Sequence, residues 1–343
     1  MSIELPDPPA LVAALRHGLG ANTSSVPVVA NDVVDVSNLA GYDSLFGFLS
    51  VAILDGAIVI DGDDVRSEVL QRWHEHLLTC VVLEALIVRT AVILDGAGVN
   101  WRLTKGAALA HLDYPDPAVR TFGDVDLVIH PDHWTAALDA LQADGYTRST
   151  DFIGNDYDRR YGKGATLTTA DGLELDLHRR FAIGRFGVTS TMNDVFEPSD
   201  AIVLAGRSIP VLAPSYRLLH ACYHASLGGF RFLRALRDVA QLILVTQVDW
   251  EATFAVARRW QAEAVVASAV AESWQRLSLD RAHPAYVRAM NTSISRADER
   301  ALHVFRTDES FRSQALTAVG ALPLTEVPRY LWSLTAHHLK SAR

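Results

Sequence analysis

Asp124 and Asp126 stand two residues apart in the run Phe122-Gly-Asp-Val-Asp-Leu-Val-Ile129. Read as a strand, this run puts Val125, Leu127 and Ile129 on one face and both acids on the other. Carboxylates so placed are roughly 6–7 Å apart at the backbone. Their side chains can converge on one hard divalent cation, which takes oxygen ligands and commonly shares them with substrate phosphates. An Asp-x-Asp pair is also a frequent feature of a wet strand face. A second alternating run strengthens the metal reading: in Leu173-Glu-Leu-Asp-Leu-His178 the three leucines face one way and Glu174, Asp176 and His178 the other. Asp176 is then a third carboxylate on a neighbouring strand, turned into the same cleft.

A phosphate-holding arrangement precedes the acids. Residues 99–104 read as a short strand, Lys105-Gly106-Ala107-Ala108 as a turn, and Ala108 to Leu112 as a helix. Small residues let backbone approach phosphate, and the first N–H groups of a helix face an anion. The same pattern also makes a tight strand-to-helix turn that holds nothing. His220 and His224 lie one helical turn apart, a spacing that suits a metal and also suits a packing face. Arg231, Arg234 and Asp238 share helical spacing; they could line a cleft, or Arg234 and Asp238 could form a surface ion pair. Arg159, Arg160 and Lys163 sit in a glycine-containing polar loop, where they could touch phosphate or simply be solvated.

These residues need elements to hold them. Asp63 and Asp64 start a long apolar helix that runs to about Asp95, with Gly96 or Gly98 at its end. Residues 41–60 fit helix or strand equally. Pro131 and Asp132 open a helix whose buried side is Trp134, Leu138 and Leu141, and Gly145 ends it. Ile209 to Leu212 is a short β-like run, and from Pro214 onward the spacing is helical. The expected division is an N-terminal extension of uncertain structure over 1–64, a catalytic unit over 65–213 and a helical unit over 214–343.

A chain of 343 residues with a net charge of −9 has a sizeable core and no broad basic footprint, which argues against extensive non-specific nucleic-acid binding. Cys80 and Cys222 lie in apolar surroundings and read as buried thiols in a reducing compartment. The start, MSIELPDPPALV, lacks the pattern of a signal peptide, and the longest apolar runs, such as Val81 to Ile87, are shorter than a membrane span. The expected location is the cytoplasm, with no membrane contact.

The runs Leu103-Thr-Lys-Gly-Ala-Ala-Leu-Ala110, Tyr114-Pro115, Arg120, Gly123-Asp-Val-Asp-Leu-Val128 and Leu175-Asp-Leu-His-Arg179 together resemble a bacterial nucleotidyltransferase-like family of the DNA polymerase β-type superfamily. The likeness spans roughly residues 70–245. It implies an α+β fold: a mixed β-sheet flanked by helices, with a C-terminal helical domain. It also implies roles. Gly106 and Ala107 match the turn that holds the triphosphate, Lys105, Arg120 and Gly123 match positions around the phosphates, and Asp124, Asp126 and Asp176 match the metal-binding and catalytic carboxylates. Arg231, Arg234 and Asp238 match an Arg-rich helix ending in Asp, and with His178 they are candidate substrate contacts. Two departures stand out. The turn is Gly-Ala where the superfamily has Gly-Ser or Gly-Gly, and Arg179 stands where a tryptophan is frequent.

The chemistry this resemblance implies is in-line displacement at the α-phosphorus of a nucleoside triphosphate, with Mg²⁺ or Mn²⁺ as cofactor and pyrophosphate leaving. The acceptor is unspecified; the acidic balance favours a small molecule or peptide. Two alternatives stay open: a tRNA-modifying toxin, which a basic channel beside Asp124 would favour, and an inactive nucleotide-binding or scaffold protein.

Overall fold

The computed structural model describes residues 8–20, 26–28, 45–60, 62–148, 157, 160–197 and 199–335. Arg159 lies outside them, and so do residues 29–36 and 336–339, which the sequence pattern reads as part of an extended segment over 26–36 and the end of a final helix over 327–339. Helices α1 (Pro9–Arg16) and α2 (Phe46–Leu54) come first, with a short parallel pair of strands, β1 (Val26–Val28) and β2 (Ile58–Ile60). The long helix α3 runs Asp63–Gly96, with two acids in its first turn facing the positive end of the helix dipole. It carries a window long and apolar enough to cross a membrane. In the fold, Leu83, Leu86, Ile87 and Leu94 on that helix pack into the core beneath the sheet.

The sheet is mixed, with strand order β5-β6-β7-β4-β3-β9-β8. Its members are β3 (Trp101–Thr104), β4 (Val125–Ile129), β5 (Thr147–Arg148), β6 (Gly164–Thr168), β7 (Glu174–His178), β8 (Ser199–Leu204) and β9 (Arg207–Leu212). β4 lies in the middle, antiparallel to β3 and parallel to β7. It is buried along its whole length, so its alternation separates two interiors and not core from water. Val125, Leu127 and Ile129 join the core under α3 and α5 (Trp134–Ala143), while Val128 joins a second core built by the helices that follow the sheet. The architecture is α+β.

Between β3 and β4, helix α4 (Gly106–Asp113) and a 3₁₀ turn at Pro117–Val119 lead into the acidic strand. After β9 come α6 (Pro214–Leu227), α7 (Leu233–Leu244), α8 (Trp250–Arg259), α9 (Glu263–Arg276), α10 (Pro284–Met290), α11 (Arg296–Arg306), α12 (Phe311–Leu316) and α13 (Val327–Thr335). Their core takes in α1 and α2 as well, so the described N-terminal helices pack with the C-terminal ones. Buried ion pairs tie this layer to the sheet. Asp113, ending α4, receives two N–H groups of Arg217 on α6 at 2.9 and 3.0 Å.

Candidate active site

The parallel pairing of β4 and β7 sets Asp126 directly opposite Asp176, and Val128 opposite His178. Alternation then turns Asp126, Asp176 and His178 to the same side. One ligand atom from each of these three lies within 4.8 Å of the others. The His178 imidazole donates from Nε2 to Asp126 Oδ1 at 2.5 Å. Thr166, on β6 opposite Asp176, donates its hydroxyl to Asp176 Oδ1 at 2.5 Å. The other oxygen of Asp126, Oδ2, is buried with no hydrogen-bond partner, and so is Nδ1 of His178. A buried carboxylate oxygen left without a partner is costly, and a cation would satisfy it. Two carboxylates and an imidazole are a donor set that a divalent ion accepts.

Asp124 does not belong to that group of three. It precedes the first residue of β4 and its surface is open to solvent. Desolvation at the cleft, and then the charge of Asp126, raise its pKa. Asp126 behaves oppositely. Burial opposes its ionisation, but Lys105 and His178 outweigh burial and hold the carboxyl well below the usual range.

Lys105 makes the shortest approach to the acids: its ammonium donates to Asp126 Oδ1. Its backbone has φ 50° and ψ −131°, a conformation that favours glycine. A non-glycine residue there stores on the order of 1–3 kcal/mol of strain. Gly106 and Ala107 follow as the first turn of α4, both buried. A Cβ on Gly106 would sit 3.0 Å from the Phe122 Cβ, tight enough that Phe122 would have to give by a few tenths of an ångström. Gly123 is exposed beside Asp124.

Arg120 is turned inward and not toward this turn. Its guanidinium donates to Asp238 on α7 through Nε at 3.2 Å and a terminal nitrogen at 2.7 Å, and to the Thr121 carbonyl at 3.2 Å. Tyr114 donates its hydroxyl to the same carboxylate at 2.8 Å. Asp238 is buried, and its pair with Arg120 is sealed from water. The loop before β4 is pinned again by α3: the Trp73 indole donates to the Ala118 carbonyl at 2.8 Å, and Cys80 Sγ accepts the Phe122 N–H at 3.2 Å. Cys80 and Cys222 are both free and buried. Arg231 lies on the surface and pairs with Asp308. Arg234 is half-buried, and its charge reaches Asp124 and His224.

Next to the acids lies a cavity of about 360 Å³ between the sheet and the C-terminal helices. Lys105 and Lys163 line one side of it, and His220, His224 and several aromatic rings line the rest. Nothing in the sequence pattern signalled this cavity, because its walls come from segments spread between Lys105 and Gln314. His220 shares a 3.0 Å hydrogen bond with the Thr104 hydroxyl and meets the Phe181 ring edge-on at 4.6 Å between centroids. Burial, then the charge of Lys105, holds both His220 and His224 well below the ordinary imidazole pKa. The folded chain thus refuses protons that the unfolded chain takes up below about pH 6.5. Stability is expected to fall as pH drops from 7.5 to 5.5. Thermal melts should show a declining Tm over that window, with a shallower slope in His224→Gln.

A mixed sheet that sets an Asp-x-Asp strand beside a third carboxylate, with a glycine turn and helix N-terminus facing them, defines the nucleotidyltransferase class. The chain belongs to the family described as uncharacterised nucleotidyltransferase, which matches residues 58–275, more than half its length. It is a nucleotidyltransferase, and the substrate its family implies is a nucleoside triphosphate. No curated protein matches significantly. Two solved structures are weakly similar to this chain. One is the antibiotic-resistance factor ANT(2″)-Ia, at 11% identity over 53% of this chain and 93% of that one, with a TM-score of 0.37. The other is an antigenic nucleotidyltransferase-like protein from Paracoccidioides brasiliensis, at 17% identity over 63% and 94%, with a TM-score of 0.34. At such scores the likeness carries nothing further.

Proposed function

We propose that this chain transfers a nucleoside monophosphate from a triphosphate to a hydroxyl-bearing acceptor, using a divalent cation of the Mg²⁺ or Mn²⁺ type. The observation that carries this reading is the group formed by Asp126, Asp176 and His178, with the partnerless Asp126 oxygen inside it. These three would hold the ion, and Asp124 would reach it from the mouth of the cleft. When bound, the ion supplies charge that steadies the reacting phosphate oxygens.

The chain's own residues do the rest. The first backbone N–H groups of α4, at Gly106 and Ala107, face the triphosphate tail. Lys105 leaves Asp126 and sets its ammonium against the developing charge on the leaving pyrophosphate. Thr166 fixes the rotamer of Asp176, which accepts the proton of the acceptor hydroxyl as the new P–O bond forms. The bond from the α-phosphorus to the bridging oxygen breaks, and pyrophosphate leaves.

An acceptor at the end of an RNA has less support. Arg160, Arg179 and Arg180 line a second cavity of about 410 Å³. Arg179 and Arg180 follow the C-terminal end of β7, whereas Asp124 stands at the N-terminal end of the parallel β4. The two are roughly 15–20 Å apart along the strands, so this basic patch does not flank Asp124.

Incubation with α-labelled ATP, GTP, CTP and UTP, a divalent ion and cell extract tests the proposal. Label is expected to pass to an acceptor product other than free nucleoside monophosphate, and chelation is expected to stop it. Absence of labelled product with all four nucleotides, together with no metal-dependent nucleotide binding by calorimetry, would overturn it.

A further inference from the structure

Helix α3 is more apolar than its packing in the fold requires. Trp73, Cys80, Leu83 and Ile87 turn inward, onto the loop before β4 and the core beneath the sheet. On the opposite side Leu78, Val81, Val82 and Val92 are between 49% and 69% exposed. Ala85 is exposed among them, and Val88 is half-buried. A contiguous apolar stripe of this kind, about four turns long, marks a contact surface.

The spacing says what fits it. Leu78, Val81, Ala85, Val88 and Val92 follow one another by three, four, three and four residues. That is the seam of a two-helix coil, in which each side chain enters a gap between side chains of a second helix. One flank of the seam carries Glu75, Val82 and Arg89, seven residues apart and all exposed. Their charges are opposite in sign and symmetric about Val82. A second copy of α3, turned end for end about a two-fold axis beside Val82, therefore brings its Arg89 to Glu75 and its Glu75 to Arg89. In the same register Leu78 packs on Val88 of the second copy, and Val81 on Ala85.

The charged residues have contacts within the chain as well. Arg89 lies 3.5 Å from Asp144 and over the Tyr146 ring at 5.1 Å, and Glu75 accepts from Gln71 at 3.1 Å. On the other flank Glu84 is turned to His111, 2.8 Å away. A lipid surface suits the stripe less well. The helix carries six acids and three arginines, whereas a helix lying on anionic lipid binds through a basic face.

We propose that the exposed face of α3 is a homodimer surface, on which a second copy of this chain seats its own α3 antiparallel. The proposal is independent of the nucleotidyl-transfer reading. One helix pair is at the small end of specific interfaces, so dissociation in the micromolar range is expected.

Sedimentation velocity on the full chain from about 1 to 100 µM is expected to show a monomer–dimer equilibrium. Ala85→Arg puts a guanidinium in the middle of the seam and is expected to keep the chain monomeric throughout, with its circular dichroism and Tm unchanged. Glu75→Arg and Arg89→Glu each set like charges opposite one another twice per dimer, and each is expected to weaken association at least about fivefold. Combining the two restores both pairs with their signs exchanged, and association is expected to return to within about threefold of wild type.

A wild-type chain that stays monomeric across that range overturns the proposal. So does a dimer that Ala85→Arg leaves intact, because it uses another surface. A double swap that associates no better than the single changes overturns it too, because the antiparallel register is then wrong. Flotation with vesicles of phosphatidylcholine and phosphatidylserine tests the remaining occupant. Wild-type flotation that Ala85→Arg abolishes assigns the stripe to lipid and overturns the homodimer; its absence is the expected result.

Discussion

Asp126→Asn is expected to lower nucleotidyl transfer at least about a hundredfold, the scale seen when one preorganised electrostatic group is removed from a reaction centre. Asparagine keeps the shape of the side chain and an oxygen to accept from His178 and Lys105. It removes the negative charge that both of them and the cation use. Mn²⁺ affinity, read by calorimetry on the same variant, is expected to fall at least about tenfold, on the scale at which lost ligand support weakens a metal site. Tm should move little. Lys105 loses its carboxylate partner, but its side chain is 16% exposed and borders the cavity, so the ammonium has a route to water. Transfer at the wild-type rate in this variant would remove Asp126 from the reaction centre.

Some of this site is readable from residue order and some is not. Alternation in Leu173 to His178 and in Val125 to Ile129 suffices to turn Asp126, Asp176 and His178 to one side, because a period of two is a local property of the strand. The register that sets Asp126 opposite Asp176 is not local. It depends on how β7 docks on β4 after a long excursion through β5 and β6, and no pattern within either strand encodes it. His178 is a case in between. Its face is legible, but its place among the candidate ligands follows from a hydrogen bond to a residue 52 positions away.

The absence of Asp124 from the same group has a physical reason. It sits one residue before β4 begins, where the strand geometry that fixes Asp126 no longer applies. β6 is poorly signalled because Gly164-Ala-Thr-Leu-Thr168 holds a single large apolar residue. Its Gly164 is nonetheless required, since a Cβ there would lie 2.0 Å from the Leu177 carbonyl oxygen on β7. β8 is poorly signalled for a different reason: as an edge strand it leaves three of its six positions exposed, and its turn into β9 is only Ala205-Gly206. The long helices were legible because their period repeats over many turns, and α3 begins and ends at Asp63 and Gly96, where its acids and glycine signal both ends.

Arg120 shows how a charged residue near an active site can act at one remove. With its side chain 4% exposed and that of Asp238 3% exposed, the pair is sealed from water, and Asp238 raises the guanidinium pKa against the effect of burial. The pair joins the loop that leads into β4 to helix α7, so it fixes where the acidic strand begins. Asp238→Ala leaves the guanidinium and the Tyr114 hydroxyl without their shared acceptor. Breaking a buried pair by removing one partner costs about 3–5 kcal/mol, which corresponds to a Tm loss of roughly 4–7 °C for a chain of this size. The double variant Arg120→Met with Asp238→Leu is expected to recover most of that loss, because replacing both charges with apolar groups of similar volume is often neutral. A guanidinium that gripped the triphosphate directly would give a different signature: Arg120→Met with Asp238→Leu would regain its Tm yet still show a nucleotide KM raised about tenfold or more. If the pair instead positions the loop, KM and Tm recover together. Thermal melts and initial rates on the single and double variants distinguish the two roles, since only the first separates binding from stability.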